Sequence, residues 1–570
     1  MESLTINDID KLRPYLKKAD YREYNSNVVT MMMWQFSYPI TYETYDTFAL
    51  VRWHHKDGCS WMMPLCEKVH WKEAMEHMLA YSRRQGEVFS VVSATEEFVS
   101  WCSKQYPHVF LYEDLVNAQD YIYVSEQHRT LCGKKMQKRR NHYNAFVKEY
   151  EGRYLYKELH EIDNEEILDY LHVWNEHHEA SRSLESEKRG IRFLLEHRDV
   201  LRLMGGGIYI DGEMKAFLIA SELSADMLEI HVEKADKEIR GLYIAMLKHF
   251  LMHQDPAYTY INREDDMGLA YLRTAKMNMH PAYKVKKYGI YERHLHIRKA
   301  RFEDVGQLHA LWLNSFAEET LETTDYFFQH LFREDDCYVI VYEEEILSML
   351  QCREIVMQAN ETDERISFIV GVATKETYRR NGLMRELLQY VLDILRKKEP
   401  FTVLQAYDWD LYKPFGFQIS HVRQKAHPHP YSEMAEITVK ECYDPEVLLS
   451  VYRTFCKTKN GYRLRDREYY ETYLIPYVSM DGGKIYVAYE KEQPIGSMIV
   501  YDALCSEYLP LNETANMQMQ HVLYTMHPHM EIWADTSVHL EEKSDIVPCL
   551  MTLYHDNRRL DGSLFFSEVL

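Results

Sequence analysis

The run Gly371-Val-Ala-Thr-Lys-Glu-Thr-Tyr-Arg-Arg-Asn-Gly-Leu-Met-Arg385 sets two arginines and a glycine between an apolar stretch and a helical repeat. A helix start presents unpaired N–H groups and a partial positive charge, a combination that holds phosphate. Gly382 lacks a Cβ, so a pyrophosphate can approach the backbone closely. The guanidinium forks of Arg379 and Arg380 suit phosphate oxygens. Arginines before a helical glycine are common on solvated surfaces, so the context must carry the reading. A second charged run lies earlier: Lys134, Lys135, Lys138, Arg139 and Arg140, joined by His142 when protonated. In a chain of net charge −22, such a run is either a solvated helix face or a contact for phosphate or RNA backbone.

The elements around the first run are legible. Residues 366–374 (ISFIVGVAT) form an apolar, partly β-branched stretch that reads as a central strand. Gly371 within it marks a bulge or a close backbone approach. Leu383, Leu387, Leu388, Val391, Leu392 and Leu395 recur at helical spacing, and Pro400 lies beyond the last turn. Residues 337–342 and 346–351 read as strands joined by a turn at Glu343-Glu-Glu345, residues 401–406 as the next strand, and residues 407–417 as a short helix and turn. A strand at 283–291 closes the first half. A new strand and helix begin at 295–312, which puts a boundary near residue 294. Gly205-Gly-Gly207 reads as a turn before a strand, and Asp211-Gly212 as a hairpin turn.

With these residues on the page, the second half resembles the GNAT N-acetyltransferases, in particular the Eis-like group. The Val-Ala-Thr strand end, the Arg-Arg-Asn-Gly-Leu-Met turn and the later Tyr412-Lys-Pro-Phe-Gly-Phe417 match in order and spacing. Met384 stands where Gly or Ala is usual. The resemblance covers roughly 294–570 and is strongest over 366–417. It implies that acetyl-CoA or another acyl-CoA is the cofactor. Val372, Ala373 and Thr374 would pair with its pantetheine arm, Arg380, Asn381, Gly382, Leu383, Met384 and Arg385 would hold its pyrophosphate, with Arg379 adding charge beside them, and Tyr407 and Asp408 would lie further along it. It also implies that Tyr412 is the acid that protonates the leaving thiolate, and that the C-terminal carboxylate, here on Leu570, is a candidate base.

The first half resembles the C-terminal catalytic domain of the phosphatidylglycerol lysyltransferases, over most of residues 15–291. The stretches that carry this are the basic run, His231-Val-Glu-Lys-Ala-Asp236 leading to Gly241-Leu-Tyr243, and Tyr260-Ile-Asn-Arg-Glu-Asp-Asp-Met-Gly268 leading to Leu272-Arg-Thr-Ala-Lys276. If the activity carries over, the donor is an aminoacyl-tRNA contacted by Lys138, Arg139 and Arg140. Lys234, Gly241, Tyr243, Asn262, Arg263, Glu264, Asp265, Arg273 and Lys276 then belong to the site. No membrane-spanning region precedes the domain, which puts a lipid acceptor in doubt.

The expected architecture is mixed α/β, as four tandem GNAT-like units with mixed sheets flanked by helices. The first half (1–293) divides near 145–150, and the second comprises a GNAT domain (294–430) and a further GNAT-like unit (431–570). Ten cysteines, none in a CxxC pair, read as reduced and mostly buried, with no metal site. The longest apolar runs fall far short of the ~20 residues of a membrane helix, and no secretory signal is present. A cytoplasmic protein follows by elimination. The acidic balance opposes general nucleic-acid binding and favours cationic acceptors. Three functions are consistent with this: acetyl-CoA-dependent N-acetylation of a small amine by the second half, aminoacyl transfer from tRNA by the first, or ligand binding without turnover. Oligomeric state is left open.

Overall fold

Continuous and alternating apolar runs form strands, and the 3.6-residue repeats form the helices laid between them. The computed structural model describes the chain except residues 57, 177–181, 432–436, 541–543, 557–558, 561–563 and 569–570. Two units divide it, Met1–Arg293 and His294–Leu570.

The first unit holds two seven-stranded sheets. One is built from strands lying between Glu2 and Asp114, with Tyr288–Glu292 inserted between Ser90–Ala94 and Phe110–Asp114. The other comprises β1 (Asp120–Val124), β2 (Tyr154–Glu158), β3 (Met204–Ile210), β4 (Glu213–Ser224), β5 (Met227–Ala235), β6 (Tyr260–Asn262) and β7 (Tyr283–Val285), in the order β7-β1-β6-β5-β4-β3-β2. Helices α1 (Val28–Trp34), α2 (Gln137–Glu149), α3 (Leu242–Met252) and α4 (Ala270–Met277) accompany them. The chain passes between the sheets at Asp114–Asp120, upstream of the division expected near 145–150.

Two readings are corrected here. The single strand expected at 283–291 is two strands in different sheets, because Lys286 and Lys287 interrupt it. Gly205, Gly206 and Gly207 are buried inside β3 instead of forming a turn. A Cβ on Gly205 would collide with the Leu218 carbonyl oxygen, and one on Gly206 with the Tyr156 hydroxyl. Close approach across the sheet therefore selects glycine at these positions.

In the second unit all strands join one fourteen-stranded mixed sheet. Its centre contains β8 (Cys337–Tyr342), β9 (Glu345–Ala359), β10 (Thr362–Thr374), β11 (Phe401–Leu404) and β12 (Gln418–Ala426). Later come β13 (Leu504–Pro510), β14 (Glu531–Asp535) and β15 (Asp545–Tyr554). β15 lies between β11 and β12, so residues 294–430 and 431–570 share a sheet. Helix α5 (Leu383–Leu395) buries Leu383, Leu387, Leu388, Val391, Leu392 and Leu395, the predicted apolar face. Helix α6 (Glu513–Met526) follows β13.

Lys287 is fully buried in the first unit. Its Nζ lies 2.5 Å from Asp120 Oδ1, 3.3 Å from Glu23 Oε2 and 2.8 Å from Asn25 Oδ1, with the Tyr24 ring centroid 3.6 Å away. Burial pushes Glu23 up to about 7 against the pull of Lys287. Between its ordinary 4.5 and that value, the folded state binds a proton the unfolded chain has lost. This contribution to stability is complete below pH 4.5 and falls as pH rises through 7. Lys287→Met is expected to cost about 3–5 kcal/mol in denaturant unfolding of this unit. The loss is expected to be greater at pH 8 than at pH 5, and an equal loss at both would show that Glu23 does not titrate there.

Candidate functional site

In the second unit, β10 pairs with β9 along its whole length but with parallel β11 only at Phe368↔Val403 and Ile369↔Leu404. Beyond that point the two parallel strands diverge. The β11-facing edge of residues 370–374 is left without a ladder partner, and edge N–H and C=O groups of this kind seek a partner strand or ligand. Gly371 (φ 60°) sits at a register shift, and a Cβ there would collide with the Trp312 ring. Ser348 Oγ donates to the Ala373 carbonyl at 2.9 Å on the paired side.

The turn that follows ends at Gly382, whose φ of 74° suits glycine and whose Cβ position is open, with nothing within 4 Å. Arg380 adopts a left-handed φ of 69°, a strain of order 1–3 kcal/mol that accumulates at functional sites. Arg379 Nε donates to the Thr374 carbonyl at 3.3 Å, and Asn381 Nδ2 to the Tyr378 carbonyl at 2.9 Å. These bonds fix the turn before α5, whose first N–H groups point out of its start. Arg385 stacks over Phe415, 5.6 Å from the ring centroid. The structure thus brings residues 372–385 into one strand–turn–helix. Tyr407, Asp408 and Tyr412 lie on the chain leaving β11, the other arm of the divergence. Tyr407 is 78% exposed. The Tyr412 ring meets Phe417 edge-on, and burial with the charge of Asp408 pushes its phenol up to about 12. It stays protonated at neutral pH.

Leu570 lies outside the described residues. The chain shortly before it is tied down: Leu564–Phe565 pairs with Gly461–Arg463, Glu568 forms an ion pair with Arg463, and Arg465 donates to the Ser567 carbonyl. β13 and β14 repeat the divergence, pairing only at Leu504↔Glu531 and Cys505↔Ile532. There Phe565, Phe566 and Ser567 join Ser506, Glu507 and Trp533 in lining a small cavity. The helix after this second divergence begins at Asn512 and Glu513, without arginine or glycine.

The first unit shows the same divergence. β5 pairs in parallel with β6 over Met227↔Tyr260 to Glu229↔Asn262 and then runs on to Ala235. Its helix α3 starts at Gly241, with φ 86°. A Cβ there would collide with the His142 carbonyl oxygen of α2. The position open at Gly382 is therefore roofed at Gly241. At the mouth, Asn262 donates to Asp120 at 2.7 Å, Arg263 pairs with Glu233, and Tyr24 donates to Asp265 at 2.9 Å. Lys276 donates to the carbonyls of Arg263 and Asp265, and Arg273 holds Asp266 at 2.9 Å. Lys234 pairs with Glu187 at 2.9 Å over the Trp174 ring, and Tyr243 lies within reach of the charges of Glu233 and Arg263.

Within the basic run the roles separate. Arg140 donates to the Leu131 carbonyl at 2.5 Å, and Arg139 is pushed down to about 10 by burial and Arg263. Lys134, Lys135 and Lys138 are exposed and lack an ion-pair partner among the described residues. Sequence reasoning missed Ser221 and Glu229, which are buried with His231. Their signal was a polar residue at alternate positions of two otherwise apolar strands.

Residues 18–291 match the family described as phosphatidylglycerol lysyltransferase, C-terminal, and residues 296–420 match the acetyltransferase (GNAT) domain. The first unit thus carries a match to the phosphatidylglycerol lysyltransferase C-terminal family, and the second unit a match to a GNAT acyltransferase domain. An uncharacterised protein of Mycoplasmoides gallisepticum is 29% identical over 195 residues, 33% of this chain and 60% of that protein. The chain thus spans about 60% of the length of this curated relative. Among solved structures, a protein of unknown function from Bacteroides thetaiotaomicron is 26% identical, with 51% of this chain and 98% of that chain covered and a TM-score of 0.49. Eis1 from Mycobacterium abscessus is 13% identical, with 46% and 74% covered and a TM-score of 0.36. No helix among the described residues is long and apolar enough to cross a membrane.

Gly382 and Gly241 are expected to respond differently to alanine. Gly382→Ala introduces only left-handed strain, about 1–2 kcal/mol, and leaves the unit folded. Gly241→Ala adds a collision with backbone and is expected to unfold the first unit at markedly lower denaturant. Equal midpoint shifts for the two variants would show that α2 does not press on Gly241.

Proposed function

We propose that the second unit transfers an acyl group from acetyl-CoA, or another acyl-CoA, to the amine of a small acceptor. The observation that carries this reading is the open start of α5 at Gly382 beside the unpaired edge of β10. The backbone of Val372, Ala373 and Thr374 offers hydrogen bonds to the amides of an extended pantetheine arm. The N–H groups of residues 380–385, with Arg379, Arg380 and Arg385, offer a cradle for the pyrophosphate. When bound, the coenzyme supplies an activated thioester carbonyl. Tyr412 holds a proton at neutral pH for the departing sulfur, the role of a general acid. The net charge of −22 favours a cationic acceptor.

A second reading concerns the first unit: aminoacyl transfer from charged tRNA. It is favoured by the closure at Gly241, which leaves no cradle there for a pyrophosphate, and by the exposed Lys134, Lys135 and Lys138, which have no ion-pair partner among the described residues.

Isothermal titration with acetyl-CoA is expected to give one site per chain. Gly382→Ala removes it, and Tyr412→Phe keeps it while lowering kcat about 10²–10⁴-fold in an amine screen. Two sites, or binding indifferent to Gly382, would overturn the assignment.

A further inference from the structure

Ser221, on β4, and Glu229 and His231, on β5, form one hydrogen-bonded chain. Ser221 Oγ lies 2.8 Å from His231 Nε2, and His231 Nδ1 lies 3.0 Å from Glu229 Oε1. Residues at the start of α1 hold both ends. Thr30 Oγ1 donates to Glu229 Oε1 at 2.5 Å, and Asn27 Nδ2 donates to Glu229 Oε2 and to Ser221 Oγ, each at 2.9 Å. Glu229 Oε1 accepts from His231 Nδ1–H, which leaves Nε2 as the acceptor for the Ser221 hydroxyl. All three residues are buried, Glu229 completely.

Glu264 is the fourth member. Its Oε1 lies 3.9 Å from His231 Nδ1, and its side chain is 24% exposed, so it links the buried chain to the mouth of the divergence. Its backbone is held at a φ of 55°. The restraints are the Asn262 side chain, which accepts from its N–H at 2.8 Å, and the Tyr121 N–H, which donates to its carbonyl at 3.1 Å. Strain kept in place this way points to function. The ligand atoms of Glu229, His231 and Glu264 lie within 4.8 Å of one another, a spacing that suits a cation. However, both Glu229 oxygens and both His231 nitrogens already have protein partners, so protons complete this set.

We propose that Glu264 is the proton acceptor of the first unit, and that His231, Glu229 and Ser221 are positioning residues that hold a further proton behind it. The proposal rests on reading that unit as an acyl-transfer site. The acceptor nitrogen bonds to the carbonyl carbon of an aminoacyl ester while its N–H proton passes to Glu264. The C–O bond to the leaving hydroxyl breaks, and that oxygen takes the proton from Glu264. The groups facing Glu264 are Glu229 and His231 from β5, Asp265 from its own loop, Asp120 from β1, Lys276 from α4 and Tyr24 from the segment before α1. Burial and the charge of Glu229 hold its carboxyl well above the usual range, with Lys276 opposing.

The first test uses the full chain with ring-15N-labelled histidine, followed by NMR from pH 5 to 9. A slowly exchanging Nδ1–H signal, identified by its loss in His231→Gln, is expected to move as Glu264 titrates. It should stop moving in Glu264→Gln, and Ser221→Ala should shift Nε2 without removing it. A His231 signal indifferent to Glu264→Gln overturns the proposal, as does stoichiometric zinc or manganese that displaces this proton. The second test uses bulk tRNA charged with radiolabelled amino acids and putrescine as acceptor. Glu264→Gln is expected to slow transfer at least about 100-fold with KM for tRNA unchanged, and His231→Gln to shift the acid limb of the pH–rate profile. Transfer with an indifferent His231 removes the relay and leaves the reading of the unit. A coupled His231 without transfer by the wild type removes that reading, and the assignment of Glu264 as proton acceptor with it.

Discussion

The structure turns on one constraint: two parallel strands that pair briefly and then separate leave backbone hydrogen-bonding groups that must be satisfied. The chain meets it in three ways. At β10 and β11 the edge stays open and faces the start of α5. At β13 and β14 the chain's own residues 565–567 line a small cavity at the gap. At β5 and β6 the gap is furnished with side chains, and α2 covers the adjoining helix start. One backbone geometry thus yields an open edge, a lined cavity and a polar mouth, according to what the neighbouring sequence supplies.

The polar mouth is costly to build. Burying Glu229, Asp120 and Lys287 is unfavourable unless each finds partners, and each does: Asn27 and Thr30 for Glu229, Asn262 and Lys287 for Asp120. Asn27 and Thr30 come from the start of α1, far ahead in the chain of the sheet that carries Glu229. The N-terminal segment is therefore part of the mouth, and its packing sets the direction of groups that stand on strands two hundred residues away.

The strand–turn–helix of the second unit was largely legible in the sequence. An apolar β-branched run, a glycine in a left-handed turn and leucines at helical spacing each act locally, so Gly382 and the face from Leu383 to Leu395 could be read without tertiary information. The glycines at 205–207 could not be, because their cause is the carbonyl of Leu218 and the ring of Tyr156, brought close only by pairing. The break at Lys286 and Lys287 was hidden for the same reason: the acids that make a buried lysine acceptable lie far away in sequence. Ser221, Glu229 and His231 form a group only through strand register, and α1, which orients them, reads by itself as an apolar run.

The position of β15 has a consequence for how the protein is made. β11 and β12 belong to the first part of the second unit, yet they are joined by a strand that ends at Tyr554. While the ribosome is still synthesising the intervening residues, the inner edges of both strands stay unsatisfied, and exposed edges of this kind invite pairing with other chains. The sheet around β11 and β12 is therefore closed only after the strand ending at Tyr554 has been made.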